Sequence, residues 1–195
     1  MQIRYTNRKG ITYYLCRGAG KTGKPRYYFA REPRDEPVSQ IPEGFRISES
    51  VNGILSLAQD RPSQIWPEEV AAVEAAVRRH PKSGNYRVNV KRDRIEIYER
   101  VGPDAEELCA VLGLAGVDLP GLVDSIRATQ ERHGRFEPVL RLILADAEQR
   151  TFWVERMCYL GSVDDFVPIG ASGTVDELSR QLIPILGTED FFDLY

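Results

Sequence analysis

Long hydrophobic runs, cysteine, histidine and methionine are all scarce in this sequence of 195 residues. No run approaches the roughly 18 apolar residues of a membrane-spanning helix, and the N-terminus lacks the charged-then-apolar order of a signal peptide. The three cysteines, Cys16, Cys109 and Cys158, are odd in number and far apart, which predicts neither a disulfide framework nor a metal knuckle. These absences favour a globular protein of the reducing cytoplasm that contacts no membrane.

The common catalytic motifs are also missing. The two histidines, His80 and His133, occur in neither H-E-x-x-H nor H-x-E spacing, and no G-x-S-x-G elbow is present. Each histidine ends a predicted helix, where an imidazole interacts well with the last carbonyls. We therefore expect a binding or interaction module rather than an enzyme, with no catalytic residue and no cofactor.

Acidic pairs leave one route to catalysis open. Asp146 and Glu148 lie at a predicted hairpin tip, and Asp164 and Asp165 follow a second turn. Two or three carboxylates can hold a magnesium ion for phosphodiester hydrolysis. Because carboxylates in turns are usually solvated or bonded to their own backbone, we predict no metal site and keep a metal-dependent nuclease as a third alternative.

The segment CRGAGKTGKPRYYFARE, residues 16–32, matches part of a phosphate-binding loop. Its Gly20-Lys21-Thr22 fits the end of G-x-x-x-x-G-K-[ST], but Leu15 stands where the first glycine belongs. The loop also needs a helix that begins at the lysine, and Gly23 and Pro25 oppose one. The segment therefore indicates a basic turn and not a nucleotide-binding loop.

The same segment is typical of a β-hairpin. Residues 11–17 and 26–32 are rich in aromatic and β-branched side chains, and a Gly/Lys turn separates them. Alternation along the strands predicts that Tyr14, Arg26 and Tyr28 share one face.

Charge is distributed unevenly along the chain. Residues 1–34 hold nine Lys and Arg against one acid, a net of +8, whereas residues 35–100 have a net of −1 and residues 101–195 a net of −10. Such asymmetry indicates an anionic partner for one end. Alternatively, the basic end docks on the acidic half of its own chain or of a second copy, which would be self-association.

We expect nucleic acid to be the anionic partner. A two-stranded ribbon fits a major groove, and exposed tyrosines stack on unpaired bases. The predicted site has four phosphate-contacting cations and two stacking tyrosines on the same face: Tyr14, Arg17, Lys21, Lys24, Arg26 and Tyr28. The alternative is a protein partner with an acidic surface.

Periodicity along the chain predicts an α+β fold with antiparallel sheets, because βαβ alternation is absent. The basic, β-rich region 1–100 contains an N-terminal meander of hairpins, among them one at Asn52-Gly53, and one helix over residues 66–81. The acidic region 101–195 contains two helices, an antiparallel hairpin around residues 147–150 and a final helix with a Thr174–Glu177 capping box. The two regions are either separate domains or parts of one shared core.

Two pairs of segments resemble patterns in uncharacterised bacterial proteins. They are KTGKPRYYF and IPEGFRISE near the N-terminus, and RMCYLGSVDDFVPIG and LGTEDFFDL near the C-terminus. The resemblance covers both ends of the chain and implies a bacterial cytoplasmic origin. It implies no activity, cofactor or catalytic residue.

Overall fold

The protein has the predicted α+β fold in a computed structural model, which describes residues 2–20, 23, 25–33, 35–113, 121–160 and 163–194. Within these ranges the chain forms five α-helices and eleven β-strands, and all strand pairs are antiparallel. None of the described helices combines the length and apolar character that crossing a bilayer requires. The chain divides into two compact units, Met1–Arg61 and Pro62–Tyr195.

The first unit consists of strands. A sheet of four strands has β2 at its centre, with β3 along one edge and β1 followed by β4 along the other, and a separate hairpin joins β5 to β6. The six strands are β1 (Arg4–Thr6), β2 (Thr12–Ala19), β3 (Pro25–Ala30), β4 (Glu36–Pro37), β5 (Phe45–Glu49) and β6 (Leu55–Gln59).

The second unit is built on a five-stranded sheet. Its strands are β7 (Tyr86–Val90), β8 (Arg94–Arg100), β9 (Phe136–Asp146), β10 (Thr151–Leu160) and β11 (Val163–Gly173). They lie in chain order across the sheet, so the sheet is a meander. It is interrupted only between β8 and β9, where two helices are inserted.

Five α-helices accompany this sheet: α1 (Pro67–Arg79), α2 (Ala105–Val111), α3 (Leu122–His133), α4 (Val175–Leu182) and α5 (Glu189–Phe192). The predicted capping box of α4 is confirmed, since Thr174 and Glu177 bond reciprocally to each other's backbone N–H. The C-terminal stop of α3 lies at Gly134. Turns of 3₁₀ helix occupy Ser83–Asn85 and Ile183–Ile185.

One face of the five-stranded sheet forms the hydrophobic core. Alternate residues of β8 and β9, including Ile95 and Leu140, are fully buried there. Val73 of α1 and Leu178 of α4 pack against them, which buries the helix stripes that recur every three or four residues.

A charged network lies on the opposite face of this sheet. Glu96 is only 2% exposed and accepts hydrogen bonds from Nε of Arg94 at 2.8 Å and from the Tyr98 hydroxyl at 3.0 Å. Arg141 stands directly opposite on β9, with its Nε 3.5 Å from Oε1 of Glu96. Burial alone would raise the pKa of Glu96, but the bonds from Arg94 and Tyr98 outweigh it and lower that pKa.

The two units divide the chain at a different place from the predicted boundary at residue 100. β8 and β9 pair in one sheet across residues 101–135, so region 101–195 lacks part of its own sheet. Helix α1, β7 and β8 therefore belong with the acidic residues that follow them. Residues 1–61 hold eleven basic and six acidic residues, net +5, and residues 62–195 hold fifteen and twenty-three, net −8.

This division predicts how fragments behave. Residues 62–195 should unfold cooperatively on heating, whereas residues 103–195 should not, because they lack α1, β7 and β8, the strand that carries Ile95 and Ile97. Far-UV circular dichroism during thermal unfolding distinguishes the two fragments. A cooperative transition of fragment 103–195 would contradict the boundary between Arg61 and Pro62.

His80 is the C-cap of α1 and is 9% exposed. Its Nδ1 accepts a hydrogen bond from the backbone N–H of Lys82 at 3.1 Å, and its ring packs edge-on against Tyr86. The sequence predicts a bond to the last helical carbonyls; the structure instead shows this imidazole accepting a hydrogen bond, which requires a neutral ring nitrogen. Burial lowers the pKa of His80, and the carbonyl of Leu186 offsets part of that effect. His133, at the end of α3, is exposed.

The neutral state of His80 predicts a pH dependence of stability. Since the pKa of His80 is lower in the folded than in the unfolded chain, where it is about 6.5, the unfolded chain binds the proton first. The free energy of unfolding should therefore fall as the pH drops below about 6.5, and His80→Asn should remove this slope. Denaturant titrations between about pH 7 and pH 5 measure it, with His133→Asn as the exposed control. Identical slopes in wild type and His80→Asn would be evidence against a neutral buried imidazole.

Candidate nucleic-acid interface

The register between β2 and β3 decides which predicted site residues lie together. Tyr14 stands opposite Ala30, Cys16 opposite Tyr28 and Gly18 opposite Arg26. Because directly opposed residues share a face of the sheet, Tyr14, Tyr28 and Arg26 lie on one face, as alternation predicts. Both tyrosines are half-buried and Arg26 is exposed.

A fourth residue of this face was missed by the sequence analysis. Arg4 of β1 stands opposite Tyr14 and is exposed. The available signal was weak, since β1 has only three residues and its register depends on the turn that follows. We call Arg4, Tyr14, Arg26 and Tyr28 the tyrosine face.

Asn7 fixes the turn that sets the register of β1. Its Oδ1 accepts hydrogen bonds from the backbone N–H groups of Lys9, at 3.1 Å, and Ile11, at 2.9 Å. Its Nδ2 donates to the carbonyl of Gly53 at 2.7 Å, in the turn between β5 and β6. Gly53 has a φ of 76°, as the predicted Asn-Gly hairpin requires. Asn7 is 4% exposed, so one buried amide joins both hairpins and holds Arg4 beside Tyr14.

Arg17 does not lie on the tyrosine face. It stands opposite Tyr27, so the expectation that it shares a face with Tyr14 and Tyr28 is wrong, because odd and even positions of β2 point to opposite sides. Its Nη1 is 3.6 Å from Oε2 of Glu36, across the pairing of β2 with β4. Two further predicted residues, Lys21 and Lys24, lie outside the described residues.

An acidic residue lies against the tyrosine face. The hydroxyl of Tyr28 donates a hydrogen bond to Oδ2 of Asp35. A Cβ atom at position 18 would lie 2.9 Å from that same oxygen, so glycine at this position leaves room for the carboxylate. Asp35 therefore fixes the orientation of the Tyr28 ring and reduces the positive potential beside Arg26.

The cations of the first unit are not equally available. Arg8 donates its side chain to the carbonyl of Val51, and its backbone N–H bonds to Glu49 at 2.6 Å. In contrast, neither Arg4 nor Arg26 is within ion-pair distance of a carboxylate in the described part of the chain.

The width of the sheet differs from the predicted two-stranded ribbon. β2 is paired along both of its edges, with β3 on one side and with β1 and β4 on the other. Because β1 and β4 share one edge of β2, the sheet is three strands wide, which is broader than the two-stranded ribbon that a major groove admits.

Two of the four carboxylates considered for a nuclease, Asp146 and Asp165, accept hydrogen bonds from nearby backbone N–H groups. Oδ1 of Asp146 accepts hydrogen bonds from the N–H groups of Glu148 and Gln149 at 2.8 and 2.9 Å, which closes the turn between β9 and β10. Oδ1 of Asp165 accepts one from its neighbour Phe166. Among the residues that the structure describes, no three His, Cys, Asp or Glu side chains are grouped closely enough to hold a metal ion.

Comparison with protein-family models, curated proteins and solved structures finds no significant match. The function of the chain is therefore inferred from its own side chains.

Asn7 offers a direct test of how the tyrosine face is positioned. Asn7→Ala should destabilise the first unit by about 1–3 kcal/mol, since it leaves buried backbone groups unsatisfied. Native-state hydrogen exchange of the amides in β1 and β2 measures this, with the exposed Gln40→Ala as the control. Unchanged protection in Asn7→Ala would show that the buried amide does not hold the two hairpins together.

Proposed function

We propose that the tyrosine face binds single-stranded nucleic acid without catalysing a reaction. The observation that carries this proposal is the shared face of two half-buried tyrosines and two exposed arginines. Tyr14 and Tyr28 occupy diagonal positions on neighbouring strands, about 7–8 Å apart. Each ring can stack on one base, which contributes roughly 1–3 kcal/mol.

Arg4 and Arg26 supply the contacts to phosphate. They flank the tyrosines from β1 and from β3, so a strand that stacks on both rings runs past both guanidinium groups. A guanidinium binds phosphate through charge-assisted and often bidentate hydrogen bonds. Lys21 and Lys24 remain predicted phosphate contacts at the adjoining turn.

Single strands fit this surface better than a duplex. Stacking on tyrosine needs unpaired bases, and the width of the four-stranded sheet opposes insertion into a groove. The net charge of +5 over residues 1–61 attracts a polyanion of any sequence. We therefore expect modest sequence preference and a strong dependence on salt.

We expect Asp35 to lower the affinity of the tyrosine face for nucleic acid. Its carboxylate is bonded to Tyr28 and lies where the phosphate backbone would pass. Removal of that charge should strengthen binding while the tyrosine ring stays in place, because an asparagine side chain still accepts the hydrogen bond.

Four substitutions and one control test the proposal. Arg4→Gln and Arg26→Gln should each weaken binding to a single strand and flatten the log–log salt slope by about 0.7. Tyr14→Ala should weaken binding by roughly 1–3 kcal/mol and leave the slope unchanged, because stacking releases no counterions. Asp35→Asn should increase the affinity. Fluorescence anisotropy with labelled DNA and RNA oligonucleotides measures all four variants.

Arg17→Gln is the matched control, since it removes the same charge from the opposite face of the same sheet, where Glu36 already pairs with it. Equal losses in Arg17→Gln and Arg26→Gln would exclude a specific face. If wild type binds neither DNA nor RNA at about 50 mM salt, the proposal is wrong. An acidic protein surface would then be the partner of the basic region.

A further inference from the structure

A polar cavity of about 910 Å³ lies within the second unit. It opens between the end of α1, the turn Ser83–Asn85, β7, α2 and α3. Its volume is typical of sites for small molecules. Five cations and five carboxylates line it: Arg78, Lys82, Arg87, Arg100 and Arg127, with Glu74, Asp104, Glu106, Glu107 and Glu131.

Three of these cations are already neutralised by carboxylates. Nζ of Lys82 lies 3.0 Å from both Asp104 and Glu107. Arg127 pairs with Glu106 and with Asp124. Arg78 pairs with Glu74, one helical turn away on α1.

Arg100 differs from these three cations, because it is only 9% exposed and the groups that accept its hydrogen bonds are neutral. Its Nε and one terminal nitrogen donate to Oδ1 of Asn85, and the other terminal nitrogen donates to the carbonyl of Pro103 at 2.6 Å. These bonds leave one N–H on each terminal nitrogen. No carboxylate of the described residues lies within ion-pair distance of Arg100. Arg100 is close enough to Asp104 to contribute to the lowered pKa of that carboxyl, but it forms no ion pair with it, and a buried cation outside an ion pair is costly.

Arg87, which is half-buried, also donates to neutral acceptors and lies beside the same turn. Its Nη1 donates to the carbonyls of Tyr86, at 2.7 Å, and Gly84, at 3.3 Å. Its guanidinium lies 4.9 Å from the ring centroid of Phe136, the residue that stands opposite Arg100 in the sheet. It also has no carboxylate partner among the residues that the structure describes.

Arg87 and Arg100 lie on the same side of the β7–β8 pair, since Arg87 stands opposite Tyr98, two residues before Arg100 on β8. Arg87 bonds to residues 84 and 86, Arg100 bonds to residue 85 between them, and Phe136 adjoins both. Two arginine forks that line one cavity, neither in an ion pair with a carboxylate of the described residues, match the planar, bidentate recognition of an oxyanion.

We propose that this cavity binds a small metabolite through one terminal oxyanion, a phosphate or a carboxylate, held between Arg87 and Arg100. The lining has as many carboxylates as cations, five of each, so it offers no net positive charge to a second anionic group. The rest of the ligand is therefore neutral or cationic. This site is separate from the tyrosine face and does not depend on it.

The test uses the full-length chain and two probes, inorganic phosphate and acetate, each titrated at constant ionic strength. Side-chain Nε–H signals of arginine, followed by NMR, should shift for Arg87 and Arg100 with at least one of the two probes. The probe that binds more tightly identifies the oxyanion as phosphate or carboxylate. If neither probe moves these signals at concentrations up to about 50 mM, the inference is wrong.

Variants separate this site from general charge effects. Arg87→Gln should weaken the apparent affinity by about tenfold or more, which corresponds to one charge-assisted contact. Arg78→Gln removes a cation of the same cavity that is already paired with Glu74, and Arg26→Gln removes one from the tyrosine face; both should leave the affinity unchanged. Equal weakening by Arg78→Gln and Arg87→Gln would overturn the proposal. If Arg87→Gln does not fold, Arg87→Lys should still lose affinity, because an ammonium lacks the fork.

Discussion

The second unit depends on the pairing of β8 with β9. These strands are separated by two helices, and without their hydrogen bonds the five-stranded sheet would fall into a pair and a trio of strands. Glu96 and Arg141 stand opposite each other in this pairing. A slip of one residue would turn Glu96 into the apolar core and Ile95 or Ile97 out of it. A buried carboxylate without its partners is strongly unfavourable, so the charged network helps to select one register. Beyond a register shift between Ile97 and Tyr98, the same pair of strands sets Arg100 opposite Phe136, beside the polar cavity.

Alternation imposes an equally strict rule on the first unit. Tyr14 and Tyr28 share a face because Tyr28 stands opposite Cys16, two residues along β2 from Tyr14. Arg17 is three residues from Tyr14 and therefore lies on the other face. Asn7 extends this shared face to β1, because its hydrogen bonds fix the turn that sets Arg4 opposite Tyr14. Side chains of three strands thus converge on one surface through two turns and a single buried amide.

Local patterns were sufficient to predict much of this structure. The turn at Gly53, the helix α1 and the capping box at Thr174 follow from turn and cap chemistry within a few residues, and the structure has all three. The boundary after Arg61 could not be predicted in this way, because it depends on which distant strands pair. The neutral hydrogen-bond partners of Arg100 could not be predicted from local patterns either, because they come from a turn before β8 and a loop after it. The wrong prediction for Arg17 has another cause, because the alternation of side chains along β2 is enough to place Arg17 on the face opposite to that of Tyr14.

The two proposed anion sites differ in the distance over which their charges attract an anion. On the tyrosine face the arginines are exposed and the surrounding unit is positive, so attraction extends over several ångströms and is screened by salt. The cavity belongs to a unit of net charge −8, which repels anions at a distance. An oxyanion is favoured there only at contact, where a buried guanidinium is in no ion pair with a carboxylate of the described residues and solvent screens poorly. A polyanion that spreads its charge along a strand suits the first environment. A small ligand with a single charged group suits the second, because it meets the local cation without carrying further charge into a negative unit.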